Sequence, residues 1–229
     1  MKLFALLFTF LAGTAYAAPD SVQASYDVMI AGMKVGQMNE SYTRKGDHYV
    51  LSSITTPQGI LAVLKPGRIM STSEGLIDSN GLRPEAFDQV RENDVNRNSH
   101  AQFDWNAKKI TLTHQDQKTQ LPLPEGTQDR LSAMYQFMFL NVDKLSSLDF
   151  AMTDGNKLDS YHYAVGSRQK LDTGAGPCDS VYLDNQAKTG ESRTEIWVST
   201  KNRLPCKMVI TDAHGEQVTQ LLSSLHITP

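Results

Sequence analysis

The segment Val35-Gly36-Gln37-Met38-Asn39-Glu40-Ser41-Tyr42-Thr43, followed by Arg44-Lys45-Gly46-Asp47 and His48-Tyr49-Val50-Leu51-Ser52-Ser53-Ile54-Thr55, decides the fold class. Two runs alternating at period 2 flank a Lys45-Gly46-Asp47 turn, the signature of an antiparallel hairpin. The pattern continues in both directions. Upstream, a strand over 22–30 leads in through Ala31-Gly32-Met33-Lys34. Downstream, strands are expected over 68–78, 85–91, 99–105 and 109–114, then over 148–153, 160–165, 169–172, 179–183, 193–199, 207–211 and 217–225. Turn residues separate them: Asp78-Ser79-Asn80-Gly81, Asp154-Gly155-Asn156, Thr173-Gly174-Ala175-Gly176, Lys188-Thr189-Gly190 and Ala213-His214-Gly215. Turns every ~8–12 residues describe a β meander.

Two segments break the period. Ile60-Leu61-Ala62-Val63-Leu64, between Pro57-Gln58-Gly59 and Pro66-Gly67, predicts a single helical turn or a loop plugging the end of a barrel. The stretch 129–141 predicts the one main helix. Asp129 caps it by accepting from the Ser132 amide, and Leu131, Met134, Tyr135 and Met138 recur at i, i+3, i+4, i+7. That stripe has to be buried, and the expected place is the mouth or concave face of a strongly curved sheet.

The first 17 residues read as an export signal: Lys2, an apolar run from Leu3 to Leu11, Gly13, then Ala15-Tyr16-Ala17. Cleavage is expected between Ala17 and Ala18, and the apolar run is far short of the ~20 residues that span a bilayer. Leu11-Ala12-Gly13 resembles the approach to a lipidated cysteine, but Thr14 carries no thiol. The expectation is therefore a periplasmic protein, soluble after cleavage, without stable membrane insertion. Removing residues 1–17 from 229 leaves 212, read as one β-rich domain over 18–229. Losing Lys2 and no acid takes the net charge from −3 to −4, which argues against nucleic acid and against electrostatic docking to anionic lipid.

Cys178 and Cys206 are the two cysteines, and an even count in an oxidising compartment suggests a disulfide. It would close a loop of about 29 residues and contribute roughly 3–4 kcal/mol. Two free buried thiols, or redox or metal chemistry without a C-x-x-C spacing, are the other readings.

Several local sequences recur together in one known family. They are Tyr26-Asp27-Val28 with Gly32 and Gly36, Gly81-Leu82-Arg83-Pro84 with Phe87, Phe103-Asp104-Trp105, and Gln128-Asp129-Arg130-Leu131-Ser132 with Tyr135. Leu171-Asp172-Thr173 with Gly176, Ile196-Trp197 and Leu204-Pro205 complete the order. The chain thereby resembles the domain-of-unknown-function 3108 family of exported bacterial proteins over nearly its whole mature length. The resemblance implies a curved, unclosed β-barrel wrapped on a helix, similar in shape to the periplasmic lipoprotein carriers of the Lol system. It implies no activity. The family usually has a Thr or hydrophobe and a Val at the positions of Cys178 and Cys206, so a disulfide there would be a feature of a subgroup. The matching residues also have plain structural roles: glycines in turns, prolines at strand starts, Trp105 and Trp197 as large fillers.

No catalytic constellation, metal set or cofactor motif is legible. The histidines (His48, His100, His114, His162, His214, His226) are dispersed, and His162 reads as a strand position. Ser167-Arg168-Gln169-Lys170 fits S-x-x-K, but between two β segments its serine and lysine point to opposite faces. The acids Glu85, Asp88, Glu92 and Asp94, and Asp149, Asp154 and Asp159, offer an acid/base pair only if two of them converge. Met29, Met33 and Met38 read as core or rim filler. The expectation is a non-catalytic envelope protein binding an apolar or amphipathic ligand (a lipid, a lipoprotein tail or a peptide) in the concavity of its sheet, or an envelope protein partner. An envelope scaffold comes next, and an acid/base hydrolase of a cell-wall substrate last.

Overall fold

The structure, a computed structural model, describes residues 18–229; the expected leader, with Ala17 of its cleavage site, lies outside the described residues. Among the described residues, fifteen strands form one sheet. The first arm holds β1 (Ser21–Ile30), β2 (Met33–Lys45), β3 (His48–Pro57) and β4 (Ile69–Asp78). It continues through β5 (Gly81–Arg91), β6 (Ser99–Asp104), β7 (Lys109–His114) and β8 (Gln117–Pro122). The short β9 (Gln128–Asp129) precedes the second arm, β10 (Ser147–Thr153), β11 (Leu158–Thr173) and β12 (Gly176–Asp184). β13 (Arg193–Ser199), β14 (Pro205–Thr211) and β15 (Gln217–Thr228) complete it.

Both arms are antiparallel meanders, and they join where β1 pairs with β15, Ser21 opposite Thr228. The spatial order runs from β8 down to β1, then β15 down to β9. Only the β9–β10 pairing is parallel, over Gln128–Met152 and Asp129–Thr153. The sheet is not closed by a ladder, yet it curls far enough for its arms to touch. Gln128 Nε2 donates to Leu82 O at 2.8 Å, and Ser99 Oγ donates to Asp154 O at 2.7 Å.

Bulges bend the strands at Ser25/Tyr26, Val28/Met29, Glu74/Gly75, Val165/Arg168 and Trp197/Val198. The expected strands over 160–165 and 169–172 are one long strand, β11, interrupted by such a bulge. Cys178 in β12 and Cys206 in β14 form a disulfide with their Cα atoms 6.6 Å apart. These strands flank β13 and are not neighbours. In a flat sheet they would stand about 9.6 Å apart, so the sheet folds sharply there.

The expected helix over 129–141 is shorter and broken. α1 (Ile60–Leu64) is one turn, and α2 covers Ser132–Gln136. Tighter 3₁₀ turns follow at Phe137–Phe139 and Val142–Lys144. The reason is packing. Leu131, Tyr135 and Met138 belong to a core with Tyr26, Tyr42, Tyr49, Leu51, Phe87 and Ile110. Phe137 and Val142 instead fill a second core with Tyr163, Leu183, Ile196 and Val198. One straight stripe cannot face both, so the chain changes pitch after Gln136 and extends at Leu140. This segment occupies the concave face, which is filled by side chains from both arms.

Candidate functional site

The 131–142 segment is fixed by buried polar groups. Asp129, fully buried, accepts from the Leu131 and Ser132 amides at 2.8 Å and from Ser73 Oγ at 2.6 Å. Tyr49 lies behind, its hydroxyl 3.1 Å from Ser73 Oγ. Asp129 thus serves as the expected cap, and burial pushes its carboxyl above the usual range against those hydrogen bonds. Glu40 takes an inward position between Met38 and Tyr42 on β2. Burial raises it to about 7, opposed by the Tyr135 and Ser53 hydroxyls. Asp129 is saturated with donors and holds structure together, while Glu40 lies buried beside Tyr135 of the helical segment.

A half-covered apolar feature lies at β10. Alternation puts Leu148 and Phe150 on the inner face, opposite Tyr163 and Tyr161. The Phe150 ring stacks on Tyr163 at 5.9 Å and on Tyr161 at 6.2 Å between centroids. On its other side, β10 is paired by β9 only at Met152 and Thr153. In this parallel pairing the residues before Gln128 would lie beside Ser147–Ala151, but 124–127 form a turn and not a strand, so that run is left without a strand neighbour on that side. Beside this edge lies a cleft of about 140 Å³ lined by Ala133, Phe137, Leu140, Leu148 and Phe150, with Gly126, Gln128, Gln136 and Asp149 around them. Leu140, Leu148 and Phe150 are only half-buried.

A larger hollow of about 420 Å³ spans the outer face of β15, β1, β2 and β3. Its outward side chains include Gln23, Ser25, Asn39, Ser41, Ser52, Ser224 and His226. Ser25 Oγ donates to Asn39 Oδ1 at 2.8 Å, and the Ser41 and Ser52 hydroxyls lie 2.8 Å apart. Four of these seven side chains are thus satisfied in pairs.

The acids singled out in the sequence are dispersed. Asp88 pairs with His100 at 2.8 Å, Glu92 with Arg68 at 2.6 Å, Asp149 with His162 at 2.7 Å and Asp159 with Lys157 at 2.5 Å. Asp154 caps the β10–β11 turn by accepting from the Asn156 and Lys157 amides. Ser167 and Lys170 both lie in β11, beside its bulge. Met38 is buried, while Met33 stands exposed on the β1–β2 turn. Among the described residues, no three His, Cys, Asp or Glu side chains come together in a way that could hold a metal. The buried Glu40 escaped sequence reading, although an acid at an inward position between Met38 and Tyr42 was a legible anomaly. The β10 edge left no signal, because the shortness of β9 is decided by tertiary packing.

The curled sheet, its helical plug and its partly uncovered edge define an open, β-barrel-like antiparallel protein. The profile of the family "Protein of unknown function (DUF3108)" matches residues 25–222, and the chain belongs to that family. The chain matches no curated protein in sequence. Among solved structures it is similar to a β-barrel-like protein of the domain of unknown function DUF1849 from Brucella abortus. That likeness has a TM-score of 0.58 at 13% identity, covering 92% of this chain and 99% of the other, and is one of fold. A candidate lipoprotein from Parabacteroides distasonis gives a TM-score of 0.38 at 10% identity, covering 92% and 96%. A candidate outer-membrane lipoprotein-sorting domain from Vibrio parahaemolyticus gives 0.27 at 9%, covering 93% and 86%. Those two scores are too low to argue from. No helix among the described residues is long and apolar enough to cross a membrane.

Proposed function

We propose that this chain is a non-catalytic, periplasmic binding protein that holds an extended apolar or amphipathic segment along the β10 edge. The observation that carries this reading is the run Ser147–Ala151, unpaired on one side and bordered by the Phe137–Leu140–Leu148–Phe150 cleft. An extended peptide can add to such an edge through main-chain hydrogen bonds while one or two apolar side chains enter the cleft. The cleft's 140 Å³ is below the roughly 300–1,000 Å³ of pockets that enclose a small ligand. A whole lipid is therefore not engulfed, and the ligand sits at the edge of the sheet, not in its filled concavity.

The test is backbone NMR of the mature chain titrated with an apolar decapeptide and, separately, with a fatty acid. The expected result is saturable shifts confined to 147–151 and the cleft for the peptide, abolished by Leu148→Glu. Absence of saturable shifts at β10, or unchanged binding by Leu148→Glu, overturns the reading. Saturable binding of the fatty acid alone removes the strand-pairing part.

A further inference from the structure

The large apolar residues left in solvent are distributed unevenly. Among the described residues, the five that are more than 60% exposed are Met33 (67%), Ile60 (65%), Val63 (75%), Leu64 (67%) and Val95 (69%). All five lie at one end of the first arm: Met33 starts β2 beside the β1–β2 turn, Ile60, Val63 and Leu64 are on α1, and Val95 is between β5 and β6. α1 buries none of its residues, so it plugs nothing.

The three turns form one rim. Gln58 N donates to Val35 O at 2.7 Å, tying the α1 loop to β2. Asn93 Nδ2 donates to Pro66 O at 2.9 Å, and Arg68 pairs with Glu92 at 2.6 Å, tying it to the β5–β6 turn. Connecting β3 to β4 needs only a short turn, yet the chain places an apolar pentapeptide at the tip. Exposed apolar clusters of this kind mark interaction surfaces.

The charge of the rim differs from that of the chain. Segments 31–35, 58–68 and 91–98 carry five cations, Lys34, Lys65, Arg68, Arg91 and Arg97, against two acids, Glu92 and Asp94, in a chain of net charge −3. Counting Asp27, which holds Lys34 at 2.6 Å, the surplus is still positive. Arg91 Nε is buried without a hydrogen-bond partner. Mean acidity therefore hides a local basic rim.

We propose that this rim is a membrane-contact surface that docks reversibly on an anionic phospholipid bilayer. Ile60, Val63 and Leu64, with Met33 and Val95, enter the headgroup–acyl boundary, and Lys65 and Arg97 meet lipid phosphates. A bilayer fits better than a protein because the apolar side chains stand exposed at the turns and line neither the β10 cleft nor the hollow on the outer face. Apolar tips flanked by cations need no shape-matched partner. This reading is independent of the β10 site.

The test is flotation of the mature chain with vesicles of phosphatidylethanolamine and phosphatidylglycerol, and with vesicles of phosphatidylcholine alone. The expected result is salt-sensitive binding to the anionic vesicles. The triple variant Ile60→Ser/Val63→Ser/Leu64→Ser should lose about tenfold or more, since its apolar contribution is gone. Lys65→Glu and Arg97→Glu should each weaken binding by about fivefold or more. All these side chains are exposed, so an unchanged thermal midpoint shows that the variants are folded. A wild-type chain that stays unbound, or a triple variant that binds as well, overturns the proposal. So does a wild-type chain that ignores vesicles but dimerises through the rim, which would assign the surface to protein.

Discussion

Ser73 Oγ donates to Asp129 Oδ2 at 2.6 Å and so fastens the middle of β4 to a residue 56 positions later, at the far edge of the sheet. One carboxylate holds the curl of the sheet and the start of the helical segment together. Asp129→Ala leaves the Leu131 and Ser132 amides and the Ser73 hydroxyl without their acceptor. A loss of about 2–4 kcal/mol is expected in urea unfolding. Ser73→Ala, which removes one donor of three, should cost about 1 kcal/mol.

Glu40 makes stability fall as pH rises. Its folded-state pKa is raised from 4.5 to about 7, chiefly by burial. The folded chain therefore keeps a proton that the unfolded chain has released. The Glu40 contribution is full below about pH 4.5, declines towards pH 7 and levels off above it, by roughly 3 kcal/mol in all. The upward shift of Asp129 acts in the same direction. Urea midpoints measured at about pH 5 and about pH 8 should differ in the wild type, and Glu40→Gln should shrink the difference.

The disulfide adds stability without defining the fold. β12, β13 and β14 are already laddered together, so Cys178→Val/Cys206→Val should keep the far-UV circular dichroism of the wild type. Its urea midpoint should fall by the equivalent of about 2–4 kcal/mol. Loss of the β signal would show that the sharp bend across β13 depends on the bridge.

Gly75 sits at the β4–β5 bulge, where an added Cβ would collide with Arg83 O and meet the Glu85 amide at 2.9 Å. Both are backbone atoms and cannot swing aside. Gly75→Ala should destabilise by about 2 kcal/mol or more, while Glu74→Ala beside it, exposed, should stay within about 0.5 kcal/mol. Thermal unfolding of the two variants separates space from local chemistry.

The strands were legible because their turns are chemically explicit. Lys45-Gly46-Asp47 and Asp154-Gly155-Asn156 fall where they were expected, and Arg193–Ser199 and Lys109–His114 match residue for residue. β8 was missed because Gln117-Lys118-Thr119-Gln120-Leu121-Pro122 lies at an edge, exposed for most of its length, and has no apolar alternation. The helix was overestimated because the Leu131–Met138 stripe is real, but Phe137 and Val142 belong to a different core. Of the candidate site, Leu148 and Phe150 were visible as strand residues, while the missing neighbour beside them was not. An edge is a property of the whole sheet and cannot be read from the strand that forms it.

The joining of β1 to β15 bears on how the molecule comes into being. Ser21 and Thr228 are partners, so β1 finds one of its neighbours only when β15, the last of the described strands, is complete. Throughout synthesis, β1 carries an open flank at what becomes the centre of the sheet. Such a flank invites pairing with the wrong chain. The seam between the ends of the chain is thus its most exposed moment in assembly and its most enclosed position once assembled.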